Sequence, residues 1–141
     1  MPSDQAPKAE QREVQKIIER YFKKRAKSKE EADMTMRGFA TLLDQGAKLV
    51  HIGKNVFVIF IKGKGIVEFQ PMYDQMTSPQ MAVNIKKLVD YLRAIGTNVV
   101  YTTNADPLVK PALDKTKLGW ETATIGLSDE GAAGFYLQLG S

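Results

Sequence analysis

Six cations stand within ten residues near the start of this 141-residue sequence: Arg20, Lys23, Lys24, Arg25, Lys27 and Lys29, with no acid between Glu19 and Glu30. Ammonium and guanidinium groups uninterrupted by carboxylates offer binding points to nucleic-acid phosphates or to an acidic protein. The same run equally suits the solvated end of a helix, where cations complement the dipole. No helix-turn-helix or zinc-finger spacing accompanies it, so any contact with DNA would be to phosphates and independent of base sequence. Were about five phosphates engaged, binding would weaken steeply with salt.

Other chemistry is sparse. The sequence contains no cysteine, which excludes disulfides, thiolate nucleophiles and thiolate metal sites. Its one histidine, His51, cannot build a multi-histidine metal centre, and no serine is placed to complete a triad around it. His51 is expected beside a strand end, satisfied by backbone or water, and no metal site is expected. Trp120, Tyr101 and Tyr136 fall in strand-like runs, where packing is the default role for aromatics.

The apolar share of 43% and the charged share of 26% are those of a globular chain rather than a disordered one. The length suits one domain with a core of its own. No stretch approaches the roughly 18–20 apolar residues of a membrane helix, and the polar start lacks a secretory signal's apolar segment. A cytoplasmic chain, or one belonging to a particle assembled there, is expected. The net charge is +4, and ten basic and eight acidic residues fall on each side of residue 45, so the basic character is local.

The elements that would position these groups can be read from periodicity. Over 8–27, Val14, Ile17, Ile18, Tyr21 and Phe22 form one helical stripe, which would cover the chain's own sheet or dock a protein partner. Ser28 followed by Glu31 predicts a capping box opening a helix over 29–45, with Ala32, Met36, Phe39, Leu42 and Leu43 inward. Strand-like runs follow at 47–52, 56–61 and 65–72, separated by glycine-bearing turns, which predicts an antiparallel meander. The run 56–61 has no polar alternation and should be covered on both faces. A helix starting at Ser78-Pro79 and ending at Gly96, a strand at 98–103, a weaker helix at 106–118 and a hairpin of 120–127 with 133–139 around 128–131 complete the chain. The expected division is a helical arm and pair at 1–45 and an α/β body at 46–141, compact together.

Two local patterns carry a family resemblance. Phe69-Gln70-Pro71-Met72-Tyr73 is similar to an apolar-x-Pro-x-Tyr strand ending, and Asn104 followed by Lys117-Leu118-Gly119-Trp120 is similar to an Asn-to-Leu-Gly-aromatic segment. In this element order they resemble the GNAT superfamily of acetyl-CoA-dependent acyltransferases. The fold implied is α/β: a mixed central sheet made of an antiparallel meander, a helix-strand-helix and a C-terminal hairpin, with two N-terminal helices. In that family an Arg/Gln-x-x-Gly-x-Gly/Ala loop opening the third helix holds the carrier's pyrophosphate through free N–H groups. Aligned through Phe69, Pro71 and Tyr73, the matching positions here are Asp74, Thr77 and Pro79. An aspartate replaces a cation, and a proline removes a donor. Sliding by one gives Gln75, Ser78 and Gln80, with neither glycine restored. Glu68 falls where the family often has a carboxylate base, and Lys115 where it often has a tyrosine acid.

The resemblance therefore implies a non-catalytic GNAT-like binding or structural module without cofactor, of the kind that occurs among bacteriophage virion and accessory proteins. Protein partners in an assembly would dock on Val14, Ile17, Ile18, Tyr21 and Phe22, and nucleic acid or an acidic partner on the six cations. The alternative it implies is an acetyl-CoA-dependent N-acetyltransferase, with Glu68 as base and helix-start groups at Ser78 and Gln80 holding the cofactor. A small inhibitor of a host protein is a further alternative.

Overall fold

A computed structural model describes residues 8–103, 106–125 and 132–140. The leader 1–7, Asn104 and the expected turn at 128–131 lie outside the described residues. The elements run α1 (Lys8–Arg25), α2 (Lys29–Asp44), β1 (Lys48–Ile52), β2 (Asn55–Gly63), β3 (Ile66–Tyr73), α3 (Ser78–Ala94), β4 (Val99–Thr103), α4 (Val109–Thr116), β5 (Glu121–Ile125) and β6 (Ala132–Gln138). The six strands form one sheet in the order β1-β2-β3-β4-β6-β5. This is the mixed α/β architecture expected from the sequence. No helix among the described residues is long and apolar enough to cross a membrane.

The chain gathers into two compact units, Met1–Val58 with Pro71–Gln75, and Ile59–Gln70 with Met76–Ser141, so β2 and β3 contribute to both. In the first, the stripe on α1 buries Ile17 and Ile18 and half-buries Val14, Tyr21 and Phe22. Phe22 meets Phe39 of α2 edge-on, with ring centroids 5.4 Å apart. Burying such side chains stabilises by about 1.5–3 kcal/mol each, which holds a helix that charge alone would leave in solvent. Ser28 caps α2 by accepting the Glu31 N–H at 3.1 Å. The Glu31 carboxylate accepts from Lys27 N–H at 3.3 Å instead of closing the reciprocal bond on Ser28. Leu42, expected inward, is 41% exposed, whereas Phe39 is buried. In β2, Asn55 to Val58 are buried, and Asn55 donates its amide to the Met72 carbonyl at 3.3 Å.

In the second unit β3 pairs parallel with β4, and β6 pairs antiparallel with both β4 and β5. One face of these strands carries Val67, Phe69, Val100, Thr102, Phe135 and Leu137, all buried. Met81, Ile85, Leu88, Val89 and Leu92 make the buried side of α3, and α3 packs on α4. Helix α4 is shorter than its pattern suggested because Asp106 ends the preceding loop rather than starting the helix. Its carboxylate accepts the Leu108 N–H at 2.9 Å and its carbonyl the Val109 N–H at 3.0 Å. Lys117, with φ of 57°, stops the helix in the left-handed conformation.

Candidate functional site

The basic end of α1 is built around an acid that the sequence places far away. Asp74, just past β3, receives Arg20 Nη1 on Oδ2 at 2.8 Å and Lys24 Nζ on Oδ1 at 2.9 Å. Lys24 also donates to the Asp74 backbone carbonyl. Arg20 and Lys24 are one helical turn apart, so both reach the same carboxylate. The hydrogen bonds from Lys24 and then Arg20 hold the Asp74 carboxyl below the usual carboxylate range. Arg25 lies over the Tyr21 ring, 3.6 Å from its centroid, and over Tyr73 at 5.4 Å, the geometry of a cation–π contact. Of the six cations, Arg20, Lys24 and Arg25 are thus engaged. Lys23, Lys27 and Lys29 are exposed, and their ammonium groups make no ion pair among the described residues.

The start of α3 is where the family resemblance implies a phosphate cradle. Thr77 is its N-cap and forms a complete capping box with Gln80. The Thr77 hydroxyl accepts the Gln80 N–H at 3.4 Å, and the Gln80 side chain accepts the Thr77 N–H at 2.9 Å. Met81 N–H bonds the Thr77 carbonyl at 3.0 Å. Pro79 has no donor, which leaves Ser78 as the N–H of that turn without a bond among the described residues. A helix start recruits anions through its unpaired donors, and here the chain satisfies its own. Gln80, a candidate cofactor contact, is spent on the cap.

Glu68 sits half-buried on β3, on the sheet face away from the buried row. Strand register carries a single row across four strands: Glu68 opposite Tyr101, Tyr101 opposite Tyr136, and Tyr136 opposite Glu121. Carboxylates flank two phenols. Burial, with the charge and hydrogen bond of Glu68, raises the Tyr101 phenol above its ordinary value of 10.0. A hydrogen bond to Glu121 does most of the same for Tyr136. Glu68 also accepts from Gln70 Nε2 at 2.9 Å and pairs with Lys62 at 3.5 Å. Backbone pairing of β3 with β4 spans 66–68 against 99–101, and beyond it side chains link the strands. The Thr102 hydroxyl donates to the Phe69 carbonyl at 2.7 Å, and Gln70 Nε2 donates to Thr103 Oγ1 at 3.0 Å. The place where two parallel strands part is where a cleft would open, and here it is bridged.

His51 is held by its own unit, with Nδ1 3.3 Å from a Glu10 carboxylate oxygen and Nε2 2.8 Å from the Gly53 carbonyl. Lys115 is exposed on α4. No cluster of metal-ligating side chains occurs among the described residues. Two groupings escaped sequence reasoning. Asp74 stands 54 positions from Arg20, and the row from Glu68 to Glu121 depends on register, which no local pattern encodes.

No protein-family model matches the sequence, and no curated protein matches it. Solved structures do match in shape. A GNAT-family acetyltransferase from Staphylococcus aureus Mu50 superposes with a TM-score of 0.59 at 10% identity, covering 95% of this chain and 96% of that one. YncA from Salmonella typhimurium, solved with its cofactor acetyl-CoA, gives 0.57 at 13% identity over 96% and 92%. The ribosomal-protein-S18-alanine N-acetyltransferase of Escherichia coli gives 0.53 at 11% over 74% and 77%. Identities this low speak for shape and leave activity open. With its element order, its mixed six-stranded sheet and these neighbours, the chain adopts the GNAT fold.

Proposed function

We propose that this chain is a GNAT-fold binding module that does not transfer acyl groups, and that it meets an anionic partner in an assembly, nucleic-acid phosphates or a virion component included, through the exposed cations at the end of α1. The observation that carries this reading is the closed start of α3. A pyrophosphate needs several unpaired N–H groups there, and the capping box of Thr77 and Gln80 with Pro79 leaves Ser78. Asp74, which stands where the family resemblance expects a cation, is committed to Arg20 and Lys24. Ile17 and Ile18 are buried within the chain itself, so the contact falls to the cations rather than to the apolar stripe.

A second reading has its own support. The structural neighbours named above are acetyltransferases or hold acetyl-CoA, and this favours an acetyl-CoA-dependent N-acetyltransferase. In it Glu68, on the strand next to the parting of β3 and β4, would take the proton from an attacking amine. Gln70 already donates to that carboxylate, Lys62 pairs with it and Tyr101 stands opposite it in the strand register, which limits what it can offer an amine.

Calorimetric titration with acetyl-CoA separates the two. No heat of binding at millimolar cofactor is expected. Micromolar binding that releases acetyl groups onto an amine, and loses turnover in Glu68→Gln with binding kept, would establish the transferase instead.

A further inference from the structure

Resting on the reading of the α1 end as a contact for polyphosphate, we infer that Asp74 is a built-in competitor for that contact, which withholds Arg20 and Lys24 from any external anion. The carboxylate is shared, one oxygen to each cation, at 2.8 and 2.9 Å. A carboxylate and a phosphate oxygen ask the same thing of a guanidinium or an ammonium, so the two compete for the same donors. Arg25 is withheld in another way, with its guanidinium on the Tyr21 ring and Nη1 donating to the Tyr21 carbonyl at 3.2 Å. What faces a polyanion at once is Lys23, Lys27 and Lys29. Arg20 and Lys24 become available only to a ligand that displaces Asp74.

The pairs with Asp74 are exposed, with Arg20 at 59% and Lys24 at 46% of their side-chain surface, and such pairs hold weakly against salt or a competing polyanion. The competitor is therefore graded. It lowers affinity and flattens the salt dependence without abolishing binding.

The test compares a labelled DNA duplex bound to the full chain, to Asp74→Asn and to Asp114→Asn across a salt series. Asp114 pairs with Lys110 at 3.0 Å on α4, so its variant makes the same change of charge away from α1. Asp74→Asn is expected to bind several-fold tighter than either, with the slope of log K against log salt steeper by about 2, since two cations are released to phosphates. Equal behaviour of the two variants, beside a wild-type affinity that disappears in Lys23→Gln/Lys27→Gln/Lys29→Gln, overturns the inference and leaves the contact standing. Absence of binding in all of them overturns both. A second comparison does not depend on how Asp74→Asn folds. Arg20→Gln/Lys24→Gln is expected to lose clearly less affinity than the triple variant, because those cations are largely withheld already; a loss matching that of the triple variant overturns the inference.

Discussion

Asn98 fills the space that a side chain on Gly65 would need: a Cβ there would stand 2.5 Å from Asn98 Nδ2. The backbones are tied as well, since Asn98 N–H and Val99 N–H both bond the Gly65 carbonyl, at 2.8 and 3.0 Å. The turn between β2 and β3 is in this way fastened to the start of β4, which sets the register from which the Glu68 row follows.

Gly65→Ala should therefore destabilise by about 1–3 kcal/mol, from the left-handed φ of 74° together with the clash. Gly38→Ala should do the opposite. It lies inside α2 with nothing within 4 Å of its missing Cβ, and alanine there should stabilise by about 0.5–1 kcal/mol. Urea unfolding of the two variants beside wild type checks both signs.

The capping box at α3 should be worth about 1 kcal/mol, so Thr77→Ala is expected to lower stability by that amount while Thr77→Asn keeps most of it. Thermal melting decides. A Thr77→Ala melt identical to wild type would mean that the Gln80 N–H is satisfied by water, and would reopen the helix start to an anion.

Tyr101 supplies the pH dependence. Its raised folded-state value means the neutral phenol is favoured in the fold, so its stabilising contribution is fully present below the ordinary value of 10.0. That contribution is lost as pH climbs through the higher folded value. Stability should fall above pH 10 more steeply in wild type than in Tyr101→Phe. Absorbance titration should show two late-ionising phenols, Tyr101 and Tyr136, and Glu68→Gln should bring only Tyr101 back toward its ordinary value.

Lys117 holds a left-handed φ of 57° at the end of α4 without a glycine's freedom. Lys117→Gly is expected to stabilise by about 1 kcal/mol through relief of that strain. Chemical denaturation reads the shift directly.

The helices were legible because their apolar spacing is local: Ile17 and Ile18, and Leu88, Val89 and Leu92, are buried as the period demands. Helix α4 is shorter than its letters suggest because Asp106 accepts the Leu108 N–H from the loop before the helix. Strand β2 is longer than its apolar run, since Lys62 and Gly63 continue it. Of the site, the charges could be counted in the sequence while their partners could not. Nothing near Arg20 announces Asp74, and nothing near Glu68 announces Tyr101, because both pairings are made by long-range folding. That Thr77 and Pro79 stand where the family resemblance expects glycines is visible in the letters, whereas the reciprocal bonds of Thr77 and Gln80 are made only in the folded chain.

The chain's only tryptophan and only histidine fall one to each compact unit. Trp120 is pinned through its indole N–H to Thr116 at 3.1 Å and meets Phe69 edge-on, so its emission is a native gauge of one unit. His51, between Glu10 and Gly53, gives a single imidazole resonance that gauges the other. Unfolding can thus be followed twice in one unlabelled sample. Coincident curves mark a single cooperative transition, and separated curves mark two parts with stabilities of their own.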